Sequence, residues 1–379
     1  MNNHRIIPGR RSLVCRYAFS FCIAFSGLSC DQKDPAPATL KEAIDHVATP
    51  YVALGADVGI IIGVMKEGQK SVYSYGEKEI GSRESITAQS VLEIASLTKV
   101  YTAVALADMH LRKELNLDDP IENYLPSSVH VPMFNNKKIT LRHLANHTSG
   151  FPRFASNADK KAYNEYKGYT EQMMYEFING YTLTRAPGSE FEYSAVGYGL
   201  LGQILSLKTQ SDYETMITGR VLSPLGMKHT TISFTPEQMK HLVPGHNGNK
   251  QVESWSKDMQ NIVQGTGALI STMDDQLIYL EANLGLINSS LDEALSLSHE
   301  LTFQHDGKYT NGIGLGWNHF TLNGQHVIWK NGGNGGYTSF MGFNPDHKTG
   351  VVVLTNSSLN PEIFATDMGI EILKLLQVL

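Results

Sequence analysis

Residues 95–111 read Ala95-Ser96-Leu97-Thr98-Lys99, followed by Val100-Tyr101-Thr102-Ala103-Val104-Ala105-Leu106-Ala107-Asp108-Met109-His110-Leu111. A run this long, apolar on nearly every side rather than along one stripe, predicts a helix buried all round. Ser96 falls at its first turn, where free N–H groups and the helix dipole favour developing negative charge. Lys99, at i+3, lies on the same face one turn later. A lysine beside an apolar helix is hard to keep charged; desolvation lowers its pKa and lets it take a seryl proton. Ser-x-x-Lys is a short pattern, met equally by an N-capping serine with a solvated lysine, so its meaning depends on the rest of the chain.

Strand signals lie on either side of this helix, far apart in the chain. Val58–Met65 is β-rich, Lys66-Glu67-Gly68-Gln69 is a turn, and Lys70–Tyr75 alternates with period two, which together predict a hairpin. After Thr310 come Gly312–Phe320, Gln325–Trp329, Tyr337–Asn344 and Gly350–Asn356, short apolar or aromatic runs separated by turns. Leu40–Ala48 and Pro361–Leu379 have helical spacing. Between the strand groups, helical patterns are broken at Asp119-Pro120, Gly150-Phe151-Pro152, Pro187-Gly188 and Pro224-Leu225-Gly226. The expected fold is α/β of the α+β kind: one antiparallel sheet built from both chain ends, flanked by terminal helices, with a mostly helical region inserted. The sheet part is expected from 40–95 plus 300–379 and the helical part from 96–299.

Composition narrows the function. The 379 residues are 41% apolar and 18% charged with net charge −6, an ordinary globular balance. No Lys/Arg-rich block follows the first 20 residues, so nucleic acid is not an expected partner. The cysteines are Cys15, Cys22 and Cys30, which leaves the main body without disulfides, thiolate zinc ligands or a cysteine nucleophile. Arg5, Arg10, Arg11 and Arg16 precede the apolar run Tyr17–Ser29, the layout of an export signal over 1–29. That run ends in Leu28-Ser29-Cys30, which resembles a bacterial lipobox; a lipidated Cys30 and a cleaved signal without lipid both remain open. Residues 30–39 then read as a tether. Export to the periplasm or cell envelope is the expectation in either case. The body beyond residue 29 carries 27 basic and 37 acidic residues.

Further segments give Ser96-x-x-Lys99 its context. Tyr193-Ser194-Ala195 precedes an apolar stretch, and Lys330-Asn331-Gly332-Gly333-Asn334-Gly335-Gly336-Tyr337 lies between two strand runs. In order and spacing these resemble the active-site serine penicillin-recognising enzymes: class C β-lactamases, low-molecular-weight DD-peptidases and related esterases. Ile139–Leu144 running into His147-Thr148-Ser149-Gly150, Gly265–Thr272, and Gly314-Leu315-Gly316-Trp317 also look like that family, and the resemblance covers roughly 40–379. It implies that Ser96 is the acylated nucleophile, Lys99 its base, and Tyr193 the hydroxyl that passes the proton to the leaving group. It further implies that Lys330 meets a substrate carboxylate and stabilises the Tyr193 phenolate. The backbone N–H groups of Ser96 and Gly333 would form the oxyanion hole, with Asn331 and Gly332 at the substrate-binding edge. No cofactor and no metal are implied. His143 and His147 are i, i+4, but without a His-Glu-x-x-His pattern they read as structural.

Three positions depart from the family pattern and one triplet imitates it. Ala195 stands where relatives have an asparagine that contacts the substrate amide, and Phe154 stands near where class C enzymes place a side-chain amide. Asn331 replaces the usual Thr or Ser. Lys348-Thr349-Gly350 spells the family triplet literally, but it follows Asn344-Pro345-Asp346 and precedes a valine run, so it reads as a hairpin turn. The expected function is therefore an exported, monomeric serine acyl-hydrolase acting on D-Ala-D-Ala-type cell-wall peptides, with weak β-lactam turnover. A class C-like β-lactamase and an esterase are the alternatives within the chemistry; a penicillin-binding sensor that acylates and stalls is the alternative outside it.

Overall fold

The computed structural model describes residues 39–53, 59–159, 163–358 and 364–378. The expected signal over 1–29, Cys30 and all of the expected tether but Thr39 lie outside the described residues. Seven strands form one antiparallel sheet in the order Gln69–Tyr75, Ile60–Lys66, Thr349–Thr355, Thr338–Asn344, Gln325–Gly333, Asn318–Leu322, Gly312–Ile313. The first hairpin therefore joins the last strand, with Ile60 opposite Thr355 and Val64 opposite Val351.

Period-two alternation divides the sheet residues between two cores. Ile60, Ile62, Val64, Val351, Val353 and Phe340 face one side, where Ile44 and Ala48 of the helix Leu40–Ala53 and Met368, Ile372 and Leu373 of the helix Phe364–Leu376 cover them. Ile61, Met65, Val352, Leu354, Met341 and Phe343 face the other side, toward the helical region. At its centre runs the helix Thr98–Leu111, buried continuously from Thr98 to Met109. It packs against the helices Ala195–Thr209 and Asp292–His299.

The helical region is less uniform than its sequence suggests. Leu92–Glu93 pairs with Ile270–Ser271, and Gly245–Asn247 with Lys250–Val252, as two short ribbons. Gly312–Phe320 is two strands rather than one, because Gly316 adopts φ +82 between them. The strand beginning at Gln325 continues past Trp329 through Lys330-Asn331-Gly332-Gly333, pairing Gly332 with Ser339 and Gly333 with Thr338.

Candidate active site

The first member of the site sits on a strained turn. Ala95-Ser96-Leu97 forms a single 3₁₀ turn before the buried helix, and Ala95 has φ +46. Left-handed backbone at a residue with a Cβ costs roughly 1–2 kcal/mol. The turn is held from the sheet: Ser339 Oγ donates to the Ile94 carbonyl at 2.7 Å. Gly332 closes over it so tightly that an added Cβ would stand 2.4 Å from the Ile94 oxygen and 2.7 Å from the Ser96 nitrogen.

Ser96, Lys99 and Tyr193 meet at this turn. Lys99 Nζ donates to Ser96 Oγ at 3.0 Å and to the Thr266 carbonyl at 2.6 Å. Tyr193 OH donates to the same Ser96 Oγ at 2.8 Å. Tyr193 is placed by its neighbours: Ser194 caps the helix Ala195–Thr209 through Gly197 N–H, and its own N–H donates to Nδ1 of buried His147 at 3.1 Å. The His147 ring lies against the Tyr193 ring with centroids 4.5 Å apart. His143 caps its own short helix, its Nδ1 accepting from Thr140 N–H at 3.1 Å. Among the described residues no group of three or more His, Cys, Asp or Glu is placed to hold a metal ion.

Electrostatics favour a neutral Lys99. Lys99 is 1% exposed, and burial, then the charges of Lys330 and Arg153, hold its pKa well below the ordinary lysine value. Lys330 has the same inward parity as Ile328 and lies opposite Met341, which carries its Nζ to 5.1 Å from the centroid of the Tyr193 ring. It is 2% exposed, and burial with the nearby Arg153 brings it down to about 7. Asn331 has the opposite parity: its Nδ2 donates to Thr366 Oγ1 of the terminal helix at 3.0 Å. Lys348 is in the turn between Thr338–Asn344 and Thr349–Thr355, at the far end of the strand from Gly333, with its Nζ on the Leu284 carbonyl at 2.6 Å.

A cleft of about 990 Å³ opens over Ser96 and Tyr193, walled by Phe154, Tyr163, Trp255 and Arg153 on one side and by Asn331, Gly332 and Gly333 on the other. A recess of about 50 Å³ adjoins it at Ser96, Lys99, Ala195, Thr266 and Met259. Three contributors were not read from the sequence. Thr266 acts through its backbone carbonyl, which leaves no residue-type signal. Arg153 is a single cation following the His147–Pro152 loop. Glu93, 0% exposed, accepts from Asn334 Nδ2 and from Ser256 N–H at 3.4 Å, tying the strand before Ser96 to the glycine-rich loop; burial raises its pKa. A lone acid within Val91-Leu92-Glu93-Ile94-Ala95 was the available clue.

The Beta-lactamase family model matches residues 44–371. Among curated proteins, the D-alanyl-D-alanine-carboxypeptidase/endopeptidase AmpH of Escherichia coli K12 is 27% identical over 366 residues, 92% of each chain. Protein flp of Staphylococcus aureus MW2 is 30% identical over 329 residues, 85% of this chain and 64% of the relative. A solved β-lactamase/D-alanine carboxypeptidase from Yersinia pestis superposes with TM-score 0.78 at 25% identity, over 89% of this chain and 98% of that one. A class C β-lactamase superposes with TM-score 0.77 at 21% identity, over 90% and 97%, a likeness of fold.

Proposed function

The chain belongs to the beta-lactamase family, enzymes of the serine β-lactamase/DD-carboxypeptidase type, and from that premise we propose that it cleaves D-Ala-D-Ala-type cell-wall peptides through an acyl-enzyme at Ser96. One observation carries the reading: a single hydroxyl, Ser96 Oγ, stands 3.0 Å from Lys99 Nζ and 2.8 Å from Tyr193 OH. Neutral Lys99 takes the seryl proton as Oγ attacks the peptide carbonyl. The tetrahedral oxyanion is received by the N–H groups of Ser96 and Gly333. Collapse breaks the C–N bond, and Tyr193 delivers the proton to the departing amine, regaining one from Lys99. Water then attacks the ester carbonyl, giving a proton to the phenolic oxygen as Tyr193 passes its own to neutral Lys99, and the Lys99 ammonium returns that proton to Ser96 Oγ as it leaves as the free hydroxyl. The ammonium of Lys330 at the Tyr193 ring stabilises negative charge as it develops on the phenolic oxygen.

The peptide is preferred as acyl donor because AmpH, similar along 92% of both chains, is named for that activity. Ala195 favours ester cleavage as the second reading, since an ester asks less of amide recognition. Release of D-Ala from diacetyl-Lys-D-Ala-D-Ala, measured beside nitrocefin and p-nitrophenyl ester turnover, ranks the donors. Intact mass after a penicillin pulse and chase separates turnover from a stalled sensor: the expected adduct decays. An adduct forming at full rate in Ser96→Ala removes the mechanism. Unchanged activity in EDTA and a monomer on sizing are expected. We place the protein in the cell envelope, anchored through lipid on Cys30; Cys30→Ser should then release it from the membrane fraction, and a soluble, unmodified wild type would leave the cleaved-signal reading.

A further inference from the structure

Glu93 is a fully buried carboxyl group to which the reaction above gives no part. It lies two residues before Ala95, whose backbone is left-handed, and three before Ser96. One carboxyl oxygen accepts from Asn334 Nδ2 and the other from Ser256 N–H at 3.4 Å. Burial raises its pKa, and hydrogen bonds from Ser254, Trp255 and Ser256 oppose that rise. Hydrogen bonds rather than a cation therefore offset the burial of this acid. Each of these neighbours presents a donor, and only a carboxylate accepts on every side.

Asn334 is bonded at both ends of its carboxamide. While Nδ2 donates to Glu93, Oδ1 accepts from Gly336 N–H at 3.1 Å and from Tyr337 N–H at 3.0 Å. Its own N–H donates to the Tyr337 carbonyl at 3.1 Å. These bonds close the turn between the strands Gln325–Gly333 and Thr338–Asn344, starting one residue beyond Gly333. The two N–H groups that receive the oxyanion come from different elements, Ser96 from the nucleophile turn and Gly333 from the sheet. Two side-chain ties join those elements just before Ser96: Ser339 Oγ on the Ile94 carbonyl, and Asn334 on Glu93. The first comes from the neighbouring strand. The second acts on the residue next to Gly333.

We infer that Glu93 is a positioning residue that sets the spacing of the oxyanion hole, by holding Asn334 and with it the Gly333 N–H against the nucleophile turn. The inference rests on the acyl-enzyme reading at Ser96. Its effect falls on the tetrahedral stage rather than on substrate binding, because the hole is matched to an oxygen that has become anionic. Misplacing such a donor by about 1 Å costs on the order of a hundredfold in rate. The donor pattern makes the test specific. Glu93→Gln keeps the shape but turns an amide nitrogen on Asn334 Nδ2 or on Ser256 N–H. Asn334 cannot flip to meet it without setting its own nitrogen against the N–H groups of Gly336 and Tyr337. Asn334→Asp alone sets two carboxylates face to face. With both changes, the amide at 93 donates to the carboxylate at 334, whose other oxygen still accepts from Gly336 and Tyr337.

The readouts are p-nitrophenyl acetate turnover and inhibition by phenylboronic acid, whose tetrahedral adduct on Ser96 Oγ places an oxygen in the hole. In Glu93→Gln and in Asn334→Asp, kcat and kcat/KM are expected to fall together by roughly tenfold or more, with KM within about twofold. The boronic acid should weaken by a similar factor. The double variant should recover most of both losses, a coupling that a double-mutant cycle measures. If Glu93→Gln does not fold, Asn334→Ala takes its place, with the same joint loss expected. The inference is overturned by single variants that lower Tm yet keep kcat and boronic-acid affinity within twofold, by a loss confined to KM, or by a double variant no better than the singles. Failure of the underlying reading looks different: Ser96→Ala would go on hydrolysing the ester at the wild-type rate.

Discussion

The Nζ of Lys99 lies 2.6 Å from the carbonyl oxygen of Thr266 while reaching Ser96 Oγ at 3.0 Å. A buried amine needs a partner to remain in place, and a backbone carbonyl supplies one without adding a charge. A carboxylate in that position would hold Lys99 protonated. A carbonyl fixes its orientation and leaves burial free to lower the pKa. Ala195, at the edge of the same recess, has no polar group to offer, so the orientation of Lys99 is carried by Thr266.

Activity should therefore rise with pH as Lys99 loses its proton, along an acid limb well below the range of an ordinary lysine. Burial is the main cause, so Lys99→Arg, which stays protonated, should lose at least a hundredfold in kcat. Arg153 is a lesser cause of the same lowering. Removing its charge in Arg153→Gln should move the limb for a neutral ester modestly to higher pH. A limb that stays in place, or moves down, would mean that another group titrates in the rate profile.

Lys330 should cost the fold stability. Its folded-state value of about 7 lies below the ordinary lysine value of 10.5. The unfolded chain thus binds more protons between those values, and stability rises with pH across that window. The penalty is full below about pH 7 and fades by the ordinary lysine value. At about 1.36 kcal/mol per unit, burial of this ammonium is a several-kcal/mol effect. Lys330→Met should raise Tm by several degrees at pH 6, with the gap closing toward pH 10, while catalysis falls at least a hundredfold. Lys348→Met, in its distant turn, should change neither. Scanning calorimetry at both pH values with one ester assay checks this; equal effects at the two lysines would reverse the assignment of the family lysine.

Gly332 has no room for a methyl group. A Cβ there would meet Ile94 O at 2.4 Å, Ser339 Oγ at 2.5 Å and Ser96 N at 2.7 Å, two of them backbone atoms of the nucleophile turn. The strand or the turn must move, at roughly 1–3 kcal/mol for overpacking. Gly332→Ala should lower kcat by more than a hundredfold with a cooperative melt a few degrees lower. Gly180→Ala, with nothing within 4 Å of its Cβ, is the comparison expected to be silent. Wild-type kcat in Gly332→Ala would show that this approach does not set the position of Ser96.

The parts legible in the sequence were those with a period or a neighbourhood. The helix Thr98–Leu111 announced itself by being apolar all round, and the hairpin Ile60–Tyr75 by its alternation. The stretch Lys330–Gly333 was read as lying between strands because glycine carries no strand signal. It is strand because Gly332 must pass against Ser96 N, where only a residue without Cβ fits. The two-residue strands Leu92–Glu93 and Ile270–Ser271 are too short for any pattern. Arg153 was passed over for a different reason: its place near Lys99 depends on the helix start at Ala195 holding its carbonyl, a contact across 42 residues of sequence.

Ala195 gives the sharpest test of substrate class. It is 5% exposed and borders the recess of about 50 Å³ between Ser96, Lys99 and Thr266. That is room for a small polar group, and an asparagine there would offer both a donor and an acceptor to the amide next to the scissile bond. Lys99 already has the Thr266 carbonyl, so the base does not need the added amide. Ala195→Asn should leave ester turnover within a few fold. A new hydrogen bond to a buried substrate amide corresponds to roughly 1–3 kcal/mol, or about ten- to hundredfold in rate. The ratio of kcat/KM for a cephalosporin or a D-Ala-D-Ala peptide to that for a simple ester should rise accordingly. Asparagine is a poorer helix former than alanine by about 0.5 kcal/mol, so a slightly lower Tm is expected and does not disturb the ratio. An unmoved ratio would place Ala195 off the path of the substrate amide. A wild type that turns over nitrocefin as fast as efficient β-lactamases do would sink the argument and make the β-lactam the natural donor.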